Sequence, residues 1–261
     1  MPGLPGIDDR LRARRGLVIA GSMPIVYLWA AIAGAFDLLA GWVALHERAR
    51  VIQPRYIIAL AAGVLLAAAF FHILPEVDLH SDALFLALGF VAFYLLEKVM
   101  MIHACGEWEC DTHHIGPIAV VGMALDNVTD GAGIVLGAMI HPLLGLAITV
   151  AVVCHEIPQG MTSALIMQEA RWPRSRMWLT LGAAGLLYPI GALLAGAIPS
   201  EWHRKMLAFI AGDFIYIGAG DLLPEAHRRF NWAVIALVLL GMAGMWALKL
   251  LETHSMHGIL S

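Results

Sequence analysis

The chain has 261 residues, 60% of them hydrophobic and 14% charged, with a mean hydropathy of +0.78. Soluble domains carry about 25% charged residues, so this composition excludes an ordinary soluble domain and points to an integral membrane protein. A net charge of −4 offers nucleic acid no basic face, and Cys105, Cys110 and Cys154 are too few for a disulfide framework.

Residues 1–16 read as a basic N-terminal tail with no cleavable signal behind it, so the apolar run that follows is expected to be retained. Residues 17–261 read as one all-α domain of eight transmembrane helices. Apolar runs of spanning length fall at 17–45, 54–75, 83–103, 115–140, 143–168, 177–198, 205–224 and 231–251. Pro, Gly or charged residues mark every break. The connection His141-Pro142 is so short that the fourth and fifth spans must be antiparallel neighbours.

The second and seventh spans echo one another. Ala62-Gly63 leads to His72-Ile73-Leu74-Pro75-Glu76, and Ala211-Gly212 leads in the same register to Asp221-Leu222-Leu223-Pro224-Glu225. In an eight-span count these two run in opposite directions. The echo is therefore the expected trace of an inverted repeat, spans 1–3 against 6–8, around the central pair of spans 4 and 5, an architecture found in many transporters. Arg48, Arg50, Arg55, Lys98, Arg171, Arg174, Arg176, Arg228 and Arg229 lie on the side of the loops that follow the odd-numbered spans. The positive-inside rule then places both termini outside the cytoplasm, although Arg10, Arg12, Arg14 and Arg15 oppose it.

The central pair carries the chemistry. The fourth span reads Asp126-Asn127-Val128-Thr129-Asp130-Gly131, and the fifth reads His155-Glu156-Ile157-Pro158-Gln159-Gly160. On a helix, positions i and i+4 share a face, so Asp126 with Asp130, and His155 with Gln159, form two ledges that face each other. Asn127 and Glu156 stand beside them. Ionisable residues inside a span are costly and normally face a bundle interior or a water path. Carboxylate, imidazole and amide oxygen together suit a borderline divalent ion such as Zn²⁺, Fe²⁺ or Mn²⁺. Pro158 interrupts the helical ladder and frees a carbonyl nearby.

These paired signatures, with the Leu-Pro-Glu echoes and Phe93-Tyr94-Leu95-Leu96-Glu97-Lys98, resemble the Zrt/Irt-like (ZIP) family of divalent-metal transporters, in a divergent, prokaryotic-type form. The resemblance implies eight spans and extracellular termini. It implies a metal site between spans 4 and 5, with metal moving toward the cytoplasm. It further implies a transport bundle of spans 1, 4, 5 and 6 that slides against a scaffold of spans 2, 3, 7 and 8. The chain departs from the family pattern at Asp126, where the signature usually begins with His. It departs again at Gln159, where bacterial members often have Glu, and at Tyr188-Pro189, where many have Glu-Pro. One well-formed site made of Asp126, Asp130, His155 and Gln159 is therefore expected, with Asn127 and Glu156 holding a weaker second ion or a proton.

Other ligand-bearing stretches are secondary. Glu225 and His227 could line an exit, and His72 and Glu76 an entrance. The loop from Cys105 to His114 could receive metal on the cytoplasmic side. Zinc is the first expectation for the transported ion, with iron or manganese next, and no resident cofactor is expected. The expected partners are divalent metal ions and the lipid bilayer, a homodimer is one possible assembly, and the expected location is the cell (inner) membrane. Two other readings compete. One is a non-transporting, metal-sensing relative. The other is an intramembrane metallohydrolase, because His155-Glu156-Ile157-Pro158-Gln159 lies one residue from His-Glu-x-x-His, but Gln159 removes the second His that such chemistry requires.

Overall fold

In hydrocarbon a chain must satisfy its own backbone hydrogen bonds, and a run of Leu, Ala, Val and Gly does so as helix. The computed structural model describes residues 7–46, 54–104 and 115–260, and these are helical with short connections. The elements are α1 (Ile7–Ala44), α2 (Pro54–Ala67), α3 (Leu79–Ala104), α4 (Ile115–Ile140), α5 (Pro142–Glu169), α6 (Arg174–Gly196), α7 (His203–Tyr216), α8 (Leu223–Ala226) and α9 (Trp232–Leu260). Eight stretches are long and apolar enough to cross a membrane; α7 and the one-turn α8 belong to a single one of them. The chain is an all-helical integral membrane protein. α1 begins at Ile7, so residues 7–16, read from the sequence as tail, are helical, while the apolar stretch begins only at Met23. The segment Cys105 to His114 lies outside the described residues.

The two Leu-Pro-Glu echoes fold alike. A π-helical turn, Ala68–Ile73, carries α2 into a 3₁₀ turn, and a second π turn, Ile217–Leu222, carries α7 into α8. Pro75 and Pro224 come just after. A proline ring clashes with the carbonyl four residues back and supplies no N–H, and one extra residue in the preceding turn relieves that clash. At the connection between the second and third spans, Asp78 starts α3 by accepting the backbone N–H of His80 at 3.0 Å and the Ser81 hydroxyl at 3.2 Å. These donors hold its carboxyl below the usual carboxylate range.

Packing separates the helices into two groups. α1 lies along α5 and α6, and α4 lies along α5 and α6; α3 pairs with α7, and α2 with α9. The groups meet where α2 touches α5 and where α4 touches α3 and α7. Between apolar helices in lipid, close backbone approach replaces the hydrophobic effect as the source of association. Gly63 lies against the Val238 carbonyl on α9, Gly89 against the Phe209 carbonyl on α7, and Gly131 against the Tyr188 carbonyl on α6. Leu84, Leu88 and Leu95 of α3, Leu186 and Leu193 of α6, and Leu239 and Leu240 of α9 point outward. Such a girdle suits acyl chains.

A methyl group at Gly63 would have to displace backbone, whereas one at Gly182 meets nothing within 4 Å. Gly63→Ala is therefore expected to destabilise the purified chain by about 1–3 kcal/mol, with Gly182→Ala close to neutral. Thermal unfolding in detergent checks the pair, and equal midpoints for the two variants would contradict the close-approach argument.

Candidate metal centre

α4 and α5 pack face to face, and their polar residues meet in the middle of the α1/α4/α5/α6 group. Asp126 and Asp130, one turn apart, share the inner face of α4, and the His155 ring reaches across from α5. Its Nε2 lies 3.2 Å from Asp130 Oδ2, 3.1 Å from Glu156 Oε1 and 3.9 Å from Asp126 Oδ2. One ligand atom from each of Asp126, Asp130, His155 and Glu156 lies within 4.8 Å of all the others. All four residues are buried; Asp130 and Glu156 are 0% exposed.

The hydrogen bonds decide which nitrogen faces the centre. His155 Nδ1 sits 3.0 Å from the Ala151 carbonyl. A carbonyl only accepts, so Nδ1 carries a proton, and Nε2 faces the carboxylates. This is the second-shell arrangement that orients a ligating imidazole. Nε2, both oxygens of Asp130, both of Glu156 and Oδ1 of Asp126 find no hydrogen-bond partner among the described residues. Acceptors facing acceptors at 3.1–3.2 Å require a cation or protons between them. Ligand atoms around a tetrahedral ion with bonds of about 2.0–2.2 Å stand roughly 3.3–3.6 Å apart, and the spacings here bracket that range.

Gln159 and Asn127, both expected to belong to this neighbourhood, pair with each other instead. Gln159 Nε2 donates to Asn127 Oδ1 at 3.2 Å, and Asn127 Nδ2 donates to the Ala184 carbonyl of α6 at 3.1 Å. Glu156 takes the place that helical spacing gave to Gln159. Its side chain swings back the 100° round α5 that separates it from His155, bringing Oε1 to 3.1 Å from the ring of its own neighbour. The Asn127–Gln159 pair borders a small cavity of about 10 Å³, roughly one water. Asp37, Ser163 and Thr180 also line that cavity.

Two buried carboxylates join the neighbourhood from helices that the sequence reading left out. Asp37 of α1 is 3% exposed, packs against Gly160, and feels the charges of Glu156, His155 and Asp126. Asp213 of α7 is fully buried and feels Asp126, Asp130 and His155. Each is an ionisable residue inside a span, which was signal enough to single it out, but neither has a helical-spacing partner to raise it above its surroundings. Tyr188 is also buried here, its hydroxyl within reach of the Glu156 charge.

The secondary candidates lie away from this centre. Glu225 pairs with Arg228 at 2.7 Å, and His227 Nδ1 donates to the Leu223 carbonyl at 3.0 Å. Glu76 is half-buried at the end of its 3₁₀ turn. His72 is buried in the π turn of the second span. Its Nε2 donates to the Met245 carbonyl at 3.0 Å, and its Nδ1 stands 3.4 Å from Glu252. Glu252 also faces His141 at 3.6 Å and Lys249 at 3.0 Å.

If the four converging residues hold a divalent ion, Glu156→Gln should weaken affinity by about 10-fold or more, comparably to Asp130→Asn. Gln159→Ala should change it far less. Competition of the purified variants against a zinc chelator measures all three. A Gln159→Ala loss as large as the Glu156→Gln loss would move the centre toward the amide pair.

The family model described as ZIP Zinc transporter matches residues 109–249, which contain the whole α4–α5 pair. Zinc transporter ZIP13 of Pongo abelii is 24% identical over 246 residues, covering 84% of this chain and 74% of that protein. Zinc transporter ZIP13 of Mus musculus is 23% identical, covering 86% of this chain and 78% of its own length. Zinc transporter ZIP4 of Rattus norvegicus is 28% identical over 140 residues, 51% of this chain and 21% of that protein.

Proposed function

The chain belongs to the ZIP zinc transporter family, and from that premise we propose that it carries zinc across a membrane toward the cytoplasm through the centre between α4 and α5. Membership places it among transporters rather than enzymes. The observation that carries the finer reading is the convergence of one ligand atom each from Asp126, Asp130, His155 and Glu156 within 4.8 Å of one another. Imidazole with three carboxylates favours a borderline ion, and the oxygen-rich set also admits Fe²⁺ and Mn²⁺.

The remaining parts of the proposal follow from the same fold. Inverted repetition is supported by the paired π turns and by the helix pairs: α3 with α7 exchanges with α9 with α2, and α1 with α5 exchanges with α6 with α4. The two-group packing supports sliding of the α1/α4/α5/α6 group against the other, because few contacts cross between them. The excess of Arg in loops on one side supports extracytoplasmic termini, and with them a cell (inner) membrane location. The centre's own chemistry supports release by protons: each carboxylate or Nε2 that takes a proton withdraws a donor from the ion.

Zinc uptake into sealed vesicles containing the purified chain tests the reading, with Fe²⁺ and Mn²⁺ as comparisons; a chain that binds zinc but passes none across the bilayer overturns it. Apparent affinity should fall as the outer pH drops from neutral to acid, since the binding form is the one without the competing protons. An affinity that held steady or rose would contradict a proton-competing centre.

One tightly held ion per chain is expected, because Asn127 and Gln159 satisfy each other and Tyr188 is neutral. Tyr188→Glu combined with Gln159→Glu is expected to add a second ion beside Asn127 and Glu156. Elemental analysis of parent and variant counts the metal, and two firmly bound ions in the parent would refute the single-ion expectation.

A further inference from the structure

Resting on the transport reading above, we propose that Asp213 of α7 is a further ligand of the transported ion, supplied from the group of helices that faces the centre. Asp126, Asp130, His155 and Glu156 all belong to α4 and α5. Asp213 belongs to the α2/α3/α7/α9 group, and would be the contact through which that group holds the ion.

Its position follows from the crossing of α4 and α7. Ile210 packs into the gap at Gly133, its Cγ2 about 3.3 Å from where a Cβ would stand. The two helices run in opposite directions, so one turn onward from Ile210 meets one turn back from Gly133. That sets Asp213 against Thr129 and Asp130, and the charges of Asp126 and Asp130 act on it directly. The next residue, Phe214, has its ring 6.0 Å from the His155 ring, edge to face.

Asp213 has the marks of a ligand rather than of a structural aspartate. A structural carboxylate in a membrane interior answers its charge with donors. Asp213 is 0% exposed, and neither oxygen has a hydrogen-bond partner among the described residues. The neighbouring Thr129 hydroxyl is one donor divided between two acceptors, the Asp213 carboxylate and the Asp126 carbonyl at 2.8 Å. What stands opposite Asp213 is two more carboxylates, so only a cation or protons can reconcile the three.

The geometry also gives Asp213 a place in the sequence of events. It is not one of the four residues whose ligand atoms converge within 4.8 Å. The largest charge acting on it is that of Asp126, the member farthest from the His155 nitrogen at 3.9 Å. An ion held by His155 and Glu156 would gain Asp213 by shifting toward Asp126 and Asp130. Because Asp213 sits on the facing group, any sliding between the groups would change how many ligands the ion has.

The experiment compares the full-length parent with Asp213→Asn, purified in detergent, with Zn²⁺ and Co²⁺ as probes. Asp213→Asn should lose about 10-fold or more in zinc affinity. It should unfold at a higher temperature without metal, because an unanswered carboxylate is gone, yet gain less from added zinc. Its cobalt absorption spectrum should differ from the parent's. Unchanged zinc affinity together with an unchanged cobalt spectrum overturns the assignment, whatever the melting temperature does. If Asp213→Asn does not fold, Asp213→Glu takes its place: a longer carboxylate that ligates must shift the cobalt spectrum, and a superimposable spectrum overturns the assignment. Vesicle uptake by the parent is scored separately. A parent that binds but does not transport overturns the transport reading, while the Asp213 comparison is still decided by binding.

Discussion

The structure depends on one electrostatic constraint: five buried carboxylates and one imidazole share a few helical turns in the middle of an apolar bundle. Asp37, Asp126, Asp130, Glu156 and Asp213 would bring five negative charges if all were ionised. A single divalent ion cancels two. The rest must be met by protons, by the imidazole or by a further cation, because unanswered charge in a low-dielectric interior costs several kcal/mol per group. Such a cluster has no stable metal-free, proton-free form. Binding, protonation and conformation are therefore coupled here, and a transporter can use that coupling.

The rest of the fold serves to hold that cluster. Alanine and glycine at the contacts bring α4, α5 and α6 close enough for short side chains to converge. Gly131 meets the Tyr188 carbonyl, and Gly191 meets the Val128 carbonyl, both tying α4 to α6. The same device binds α2 to α9 and α3 to α7, so each group is tight within itself. Contact between the groups is thinner. Bulky apolar side chains are turned outward, where lipid rather than neighbouring protein receives them. The small residues thus fall where helices within each group must approach closely.

Most of the architecture was legible in the sequence because hydropathy and helix length are local quantities. The eight spans, the antiparallel α4–α5 pair and the two proline-terminated echoes all follow from runs of residues and their punctuation. Asp126, Asp130 and His155 were legible for the same reason, since i and i+4 spacing is a property of one helix. The partition at the fifth span was not. Whether Glu156 or Gln159 turns toward His155 depends on the rotation of α5 about its axis and on what α6 offers Asn127, namely the Ala184 carbonyl. Asp37 and Asp213 were visible as intramembrane acids, but their nearness to the centre is a tertiary fact. Only the crossings of α1 with α5 and of α7 with α4 bring them in.

The Asn127–Gln159 pair shows how neutral residues shape the charged ones beside them. An amide pair satisfies itself without a metal or a proton, so it closes the side of the centre toward Asp37 and α6 without adding charge. On the opposite side, Asp213 adds charge with no donor of its own to answer it. Buried carboxylates therefore stand on both sides of the centre, Asp37 beyond the amide pair and Asp213 on the facing helices. Because Asp213 belongs to the facing helix group, any shift between the groups would change the charge around an ion held at the centre.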